Sequence, residues 1–170
     1  MTAIDLVPFG PEHLDALKPM LEDPAVRRHT FVPDPPQVGF ARRWLDRYEA
    51  GRRDGTREGF AVVDGNGTLL GLALAPRIEQ EARTVELGYL VAPDARGRGI
   101  ATEALRLLTD WAFRELDAER IELKIAAENP ASQRVAERCG YVREGVLRST
   151  YFKNGLRQDT EIWSRLPSDP

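Results

Sequence analysis

The sequence is poor in the residues that build disulfides and metal centres. It contains one cysteine and two histidines among 170 residues. A single cysteine excludes an internal disulfide and a cysteine-cluster zinc site, and two histidines argue against a histidine-based metal site. We therefore expect a protein without a bound metal.

Long hydrophobic runs and an excess of positive charge are also missing. No apolar run approaches the roughly 20 residues of a membrane-spanning helix, and the first residues lack the pattern of a secretory signal. The net charge of −3 offers no general attraction for nucleic acid. These features predict a cytoplasmic protein with neither a nucleic-acid nor a membrane partner.

Apolar residues make up 42% of the chain and charged residues 30%, which is typical of a globular protein. We predict one mixed α/β domain over residues 1–170, with a mostly antiparallel central sheet flanked by helices. Strands are predicted over 3–7, 59–63, 68–75, 84–92, 120–127, 141–152 and 156–165. Helices are predicted over 11–21, 38–50, from the segment 96–101 to residue 116, and from 130 to about 140, with a loop at 27–37 and a turn at 51–55.

The most informative segment joins a predicted strand to a predicted helix. Its residues are Arg96, Gly97, Arg98, Gly99, Ile100 and Ala101. Glycines let a backbone approach an anion, and the first amides of a helix attract negative charge. No side chain suited to cap a helix lies just before Ile100. The segment therefore resembles a pyrophosphate cradle, although an ordinary glycine-rich turn with solvated arginines is the alternative.

Two other nucleotide sites fit the sequence less well. Gly97-x-Gly99-x-x-Thr102 approaches the dinucleotide-binding fingerprint, and Glu119 or Glu122 lies about 20 residues further on, where an acid would bind ribose. However, the third glycine is missing and antiparallel hairpins precede the segment, whereas that fold needs several parallel units. A phosphate-binding NTPase loop would need a Gly-Lys-Ser/Thr sequence, which does not follow here.

The same segment matches a family signature. Arg96, Gly99 and Ala101 fit the Gln/Arg-x-x-Gly-x-Gly/Ala pattern of the GNAT superfamily of acyl-CoA N-acetyltransferases, between a strand and a helix as in that family. A second block begins at Asn129-x-x-Ser132 and continues through 135–141 to Glu144-Gly145, Arg148, Asn154-Gly155 and Asp159. This block resembles the RimJ/RimL type, the ribosomal-protein alanine acetyltransferases and their small-molecule relatives. The resemblance is specific over residues 86–163 and general before residue 70.

The resemblance implies an acetyl-CoA site and direct attack by an amine on the thioester. The strand that ends at Ala92 would separate from its parallel neighbour, and pantetheine would enter the gap. Backbone groups of Leu90 and Val91 would bind pantetheine, and the amides of residues 96–101 would bind the pyrophosphate, with Arg96 or Arg98 adding charge. Asn129 would contact pantetheine, or would only cap its helix.

Two residues are candidates for the chemistry. Many GNAT members have a tyrosine acid where this chain has Ala136, so the hydroxyl of Ser132, one turn earlier, is the candidate donor to the leaving thiolate. Glu86 shares a strand face with Gly88 and is the candidate base. The alternatives are a serine that only suits the first helical turn and a carboxylate that only faces solvent. Tyr89 and Tyr151 are interpreted as core or acceptor-pocket residues, and Cys139 as a buried small hydrophobic residue.

How strong a base the reaction needs depends on the pKa of the acceptor amine. A lysine-type amine has a pKa of about 10.4 and an α-amine of about 7.7–8.0, so deprotonation near pH 7.4 costs about 4 kcal/mol for the first and under about 1 kcal/mol for the second. The sequence offers a single candidate carboxylate as base, so we expect the acceptor to be an α-amine or another amine of low pKa.

The sequence leaves the acceptor and the activity open. The acceptor is a protein N-terminus or a small amine such as an aminoglycoside, a polyamine or an amino-acid-like metabolite. We expect specificity to lie in residues 27–50 and 151–157, with His29, Phe31 and Asp34 as pocket walls or as ordinary loop packing. The alternative function is a non-catalytic acyl-CoA-binding protein, and the chain is expected to be a monomer or a homodimer.

Overall fold

The fold was analysed in a computed structural model that describes residues 3–170. Its centre is a seven-stranded sheet in the order β1-β2-β3-β4-β5-β7-β6. The strands are β1 (Ile4–Pro8), β2 (Glu58–Asp64), β3 (Leu69–Glu79), β4 (Thr84–Val91), β5 (Arg120–Ala126), β6 (Val142–Lys153) and β7 (Leu156–Arg165). The helices are α1 (Leu14–Glu22), α2 (Pro24–His29), α3 (Phe40–Asp54), α4 (Ile100–Glu115) and α5 (Pro130–Arg138).

One strand pair in this sheet differs from the others. β4 and β5 run parallel and are joined through α4, whereas the other neighbouring strands are antiparallel. The β4–β5 register ends at Leu87 opposite Leu123, although β4 continues to Val91 and β5 to Ala126. The predicted mixed, mostly antiparallel α/β fold is confirmed, and the two parallel strands separate as predicted.

The two faces of the sheet are covered by different helices. On one face Phe60 of β2 packs edge-on against Trp111 of α4, with ring centroids 5.1 Å apart. Phe60 lies in register with Ala73, and Ala73 with Tyr89, so Tyr89 belongs to this face. On the other face, Gly59 of β2 lies against the ring of Tyr48 from α3. Glu86 and Gly88 alternate with Tyr89 and therefore face the α3 side.

Three local predictions are corrected by the structure. Residues 27–29, predicted as loop, end the short helix α2, which Asp23 caps by accepting a hydrogen bond from the Val26 amide at 2.9 Å. The predicted turn at 51–55 is the end of α3, because that helix continues to Asp54 and stops at Gly55 in a left-handed conformation. β3 continues four residues beyond Ala75 by way of a register shift at Pro76, a residue that cannot donate to the ladder.

The buried core lies between the sheet and the helices on both faces. Its centre includes Leu72, Leu105, Leu108 and Ile121, which are fully buried. Among the described residues, no helix is both long and apolar enough to cross a membrane. The site therefore rests on a packed sheet, with the β4–β5 separation at its middle.

Candidate active site

The predicted anion-binding segment has the backbone shape of a cradle. Gly97 and Gly99 have φ angles of +74° and +82°, a region that other residues rarely adopt. Gly99 is the N-cap of α4, and no side chain caps this end of the helix in the described part of the chain. A Cβ added at either glycine would meet nothing within 4 Å. An uncapped, open helix start fits an anion such as a pyrophosphate.

The two arginines of this segment have different partners. Arg96 forms an ion pair with Asp23, at 2.7 Å between Nη2 and Oδ1, and this contact is the main reason why the pKa of Asp23 is lowered. Backbone amides of Thr68 and Asn66 lower the pKa of Asp64, and the positive charge of Arg98 adds to the effect. Arg96 therefore ties the segment to the start of α2, whereas Arg98 lies near the β2–β3 turn.

Where β4 separates from β5, the backbone at the end of β4 has no strand partner on its β5 side. Leu90 and Val91 lie beyond the last β4–β5 register pair and are paired with β3 on their other side. The gap opens beside the start of α4 and beside the start of α5. A long, thin group with amide functions could lie in it and hydrogen-bond to the strand edges.

Ser132 has an unexpected partner at the mouth of this gap. Its Oγ lies 2.7 Å from the hydroxyl oxygen of Tyr89. Burial raises the pKa of Tyr89 to about 12, partly offset by this hydrogen bond, so the phenol is neutral at ordinary pH. The sequence predicts a core or pocket position for Tyr89, but strand alternation alone does not reveal its contact with a helix 43 residues later.

Asn129 caps α5, which is one of the two roles predicted for it. Its Oδ1 accepts a hydrogen bond from the Ser132 amide at 3.2 Å. The cap places Ser132 in the first turn of α5, six residues after the end of β5. The role of Asn129 toward pantetheine stays a prediction.

Glu86 lies on the opposite face of β4 from Tyr89 and is bound by a cation. Its Oε2 lies 2.6 Å from Nζ of Lys124 in β5, and its side chain is only 17% exposed. Lys124 is the first β5 residue beyond the last register pair with β4. The structure therefore does not bring Glu86 and Ser132 together on one face, and a group in the gap would separate them. Sequence reasoning missed Lys124, although the alternation of charged residues in β5 could have indicated it.

The acceptor regions predicted at residues 27–50 and 151–157 meet in space. The Tyr151 hydroxyl donates to the carbonyl oxygen of Thr30 at 2.6 Å. The Lys153 ammonium donates to the carbonyl oxygens of Arg27, Thr30 and Val32. We call this set of contacts the Lys153 clamp, because it fixes α2 and the segment after it to the end of β6. Burial lowers the pKa of Lys153.

An open cleft of about 430 Å³ lies over the Lys153 clamp. It is lined by Phe31, Pro33, Asp34, Pro35, Gln37, Tyr151, Phe152, Lys153 and Asn154. Asp34 is its one carboxylate in the described residues and is paired with Arg27 at 3.2 Å. The sequence prediction that Phe31 and Asp34 are pocket walls is consistent with this lining, whereas His29 is not among the lining residues.

Cys139 is confirmed as a buried residue without thiolate character. It is 2% exposed, and burial raises its pKa. Its Sγ lies 3.4 Å from the carbonyl oxygen of Thr102.

The fold and this site define an α/β protein in which two parallel strands separate beside an uncapped helix start. A family model described as "Acetyltransferase (GNAT) domain" matches residues 4–142, and the chain belongs to this family. The match begins at β1 and so extends well before the region in which the sequence resemblance was specific.

Two curated relatives are acetyltransferases that are named for different acceptors. The chain is 33% identical over 108 residues to spermidine N(1)-acetyltransferase of Vibrio cholerae, covering 64% of this chain and 62% of that protein. It is 32% identical over 98 residues to the ribosomal-protein-serine acetyltransferase of Escherichia coli, covering 58% and 55%. The chain therefore spans between about half and two thirds of these relatives.

Solved structures extend the likeness over nearly the whole chain. Spermidine N-acetyltransferase from Vibrio cholerae in complex with CoA and spermine matches with a TM-score of 0.85 and 25% identity, covering 98% of this chain and 96% of that one. RimL, a ribosomal alpha-N-protein acetyltransferase in complex with coenzyme A, matches with a TM-score of 0.89 over 98% and 95%, and at 22% identity it supports the fold alone.

Proposed function

We propose that this protein is an N-acetyltransferase that moves the acetyl group of acetyl-CoA to a primary amine by direct attack in a ternary complex. The observation that carries the proposal is the β4–β5 separation beside the uncapped start of α4. The family match and the neighbour solved with CoA and spermine support the same donor.

Acetyl-CoA supplies an activated acetyl group and a thiol leaving group. In the proposal, the amides of residues 97–101 and the side chain of Arg98 bind its pyrophosphate. The freed backbone of Leu90 and Val91, together with Asn129, binds pantetheine, and one backbone amide stabilises the oxyanion. Arg96 acts mainly by holding this segment against Asp23, because its charge is already paired.

The proposed proton handling uses both faces of β4. Ser132 donates a hydrogen bond to the leaving thiolate on the α4 side of the sheet. Glu86 accepts the amine proton, directly or through water, on the α3 side. Its ion pair with Lys124 holds the carboxylate in place on that side.

A single candidate base and a cleft with one carboxylate favour an α-amine over a polyamine. A polyamine carries several positive charges, whereas the only carboxylate in the described lining of the cleft, Asp34, is already paired with Arg27. An α-amine needs under about 1 kcal/mol for deprotonation near pH 7.4. We therefore propose a protein N-terminal α-amine or a related small amine as acceptor. A cytoplasmic location and a monomeric or homodimeric state stay predictions.

Release of thiol from acetyl-CoA tests this function with a panel of amines. The panel contains a peptide with an N-terminal alanine or serine, spermidine and an aminoglycoside, with the Nα-acetylated peptide as a control that lacks the amine. We expect the free peptide to react faster than spermidine, and the blocked peptide not to react. Binding of acetyl-CoA without turnover on any amine would instead support the non-catalytic acyl-CoA-binding function.

A further inference from the structure

Within residues 3–170, two tyrosine hydroxyls pair with the hydroxyl of a second side chain. Tyr89 pairs with Ser132 and Tyr141 pairs with Thr109, each at an oxygen–oxygen distance of 2.7 Å. Tyr141 and Thr109 are both buried in the core, 4% and 2% exposed. The Tyr89–Ser132 pair instead lies at the mouth of the β4–β5 gap, so the same chemistry occurs in two different settings.

Tyr89 and Ser132 both lie on elements that border the gap. Tyr89 lies in the part of β4 beyond the last register pair with β5. Ser132 lies in the first turn of α5, which follows the end of β5. The pair therefore spans the two elements that border the gap on the α4 side.

The chemistry of the two hydroxyls sets the direction of their hydrogen bond. Either oxygen can donate at this distance, and because a phenol is a stronger hydrogen donor and a weaker acceptor than an aliphatic alcohol, the inference takes Tyr89 as donor and Ser132 as acceptor. Among residues 3–170, the Ser132 Oγ has one hydrogen-bond partner, which is Tyr89. The hydrogen of Ser132 is therefore left for a group in the gap.

We propose that Tyr89 is a positioning residue that orients the hydroxyl of Ser132 toward the thiol sulfur of coenzyme A. The inference rests on the proposed donor site. When the acetyl group is transferred, the amine nitrogen forms a bond to the carbonyl carbon and the carbon–sulfur bond breaks, with its electron pair moving to sulfur. Ser132 donates a hydrogen bond to that thiolate and keeps its own proton. The proton lost by the amine leaves to base or solvent, and solvent protonates the thiolate.

Tyr89 itself does not transfer a proton in this scheme. Its phenol is held neutral by burial, which raises its pKa to about 12. Its hydrogen bond fixes the rotation of the Ser132 hydroxyl, which would otherwise have three staggered positions.

The first test measures the thiol of bound coenzyme A without any turnover. Ultraviolet absorbance of the thiolate is followed as the pH of the complex with coenzyme A is raised. A hydrogen bond to a charged group is worth about 1.5–3 kcal/mol and one pKa unit about 1.36 kcal/mol, so Ser132→Ala is expected to raise the thiol pKa by about one to two units. Tyr89→Phe is expected to raise it by about half to one unit on the same scale.

The second test compares turnover in single and double variants. Tyr89→Phe is expected to lower kcat about fivefold without changing the KM for acetyl-CoA, as for the loss of one neutral hydrogen bond. In the Ser132→Ala background the same change is expected to have no further effect, because Tyr89 acts through Ser132. Tyr141→Phe removes the matched core pair and is expected to lower Tm while leaving kcat and the thiol pKa unchanged.

The outcomes separate the inference from the proposed function. Failure of the wild-type protein to bind coenzyme A would overturn both. Binding and turnover with an unchanged thiol pKa in Tyr89→Phe, or an equal loss of kcat in Tyr89→Phe with and without Ser132, would overturn the inference alone.

Discussion

The proposed acyl-donor side and the proposed acceptor side of this protein are built in different ways. The donor side uses backbone groups and short segments within residues 86–132, such as the two left-handed glycines before α4. The acceptor side depends on contacts between distant parts of the chain, since Lys153 reaches carbonyl groups 121 to 126 residues earlier. In the proposed function, donor recognition therefore uses mainly backbone groups of one part of the chain, whereas acceptor recognition depends on how two loops are fixed together.

Reversing the charge of the donor segment should have the largest effect. Arg98→Glu places an anion beside the proposed pyrophosphate site, and we expect the Kd for coenzyme A to rise at least about tenfold. Calorimetry measures this value directly. Arg114→Glu, at the other end of α4, makes the same change in net charge and should leave the affinity nearly unchanged. Equal affinity in the Arg98→Glu variant would remove this side chain from the donor site.

Breaking the Lys153 clamp should affect the acceptor side alone. Lys153→Met removes the donor to three carbonyl groups, and we expect the KM for the amine to rise about fivefold with an unchanged Kd for coenzyme A. Steady-state kinetics with the best amine of the panel checks this. Lys153→Arg should recover part of the loss, and Lys18→Met, on the exposed surface of α1, should change neither value. A parallel loss of donor affinity would show that the two sides are not independent.

Removing the candidate base should have the smallest effect. Glu86→Gln should lower the rate roughly threefold near neutral pH, below the usual range for a general base, because an α-amine is already partly deprotonated. The difference should shrink as the pH rises, so the rate of the variant depends more steeply on pH. Glu122→Gln, in register on β5 and paired with Arg120 at 2.7 Å, is the matched control. An unaltered pH profile in Glu86→Gln would show that Glu86 is structural.

The sequence allowed prediction of features that are encoded locally. The seven strands, the helix start at 96–101 and the cap at Asn129 all follow from nearby residues. The short helix α2 was missed because three prolines at 33–36 made the whole segment resemble a loop, although Asp23-Pro24 is a good helix start. The predicted turn at 51–55 was wrong because α3 buries Gly51 within the helix.

The contacts that complete the site could not be read from the sequence. Tyr89 and Ser132, and Glu86 and Lys124, are joined across elements 43 and 38 residues apart. Only the crossover through α4 brings these pairs together, and strand alternation gives the face of a residue but not its partner. The Lys153 clamp could not be predicted for the same reason: it joins distant segments, and no local pattern around the Asn154-Gly155 turn indicates it.

The most direct test of the account is the structure of the protein with coenzyme A bound. We predict the pyrophosphate against the amides of residues 97–101, pantetheine in the gap between β4 and β5, and the sulfur within hydrogen-bond reach of the Ser132 Oγ, with Tyr89 still bonded to that oxygen. Coenzyme A bound elsewhere, or a sulfur remote from Ser132, would contradict the account.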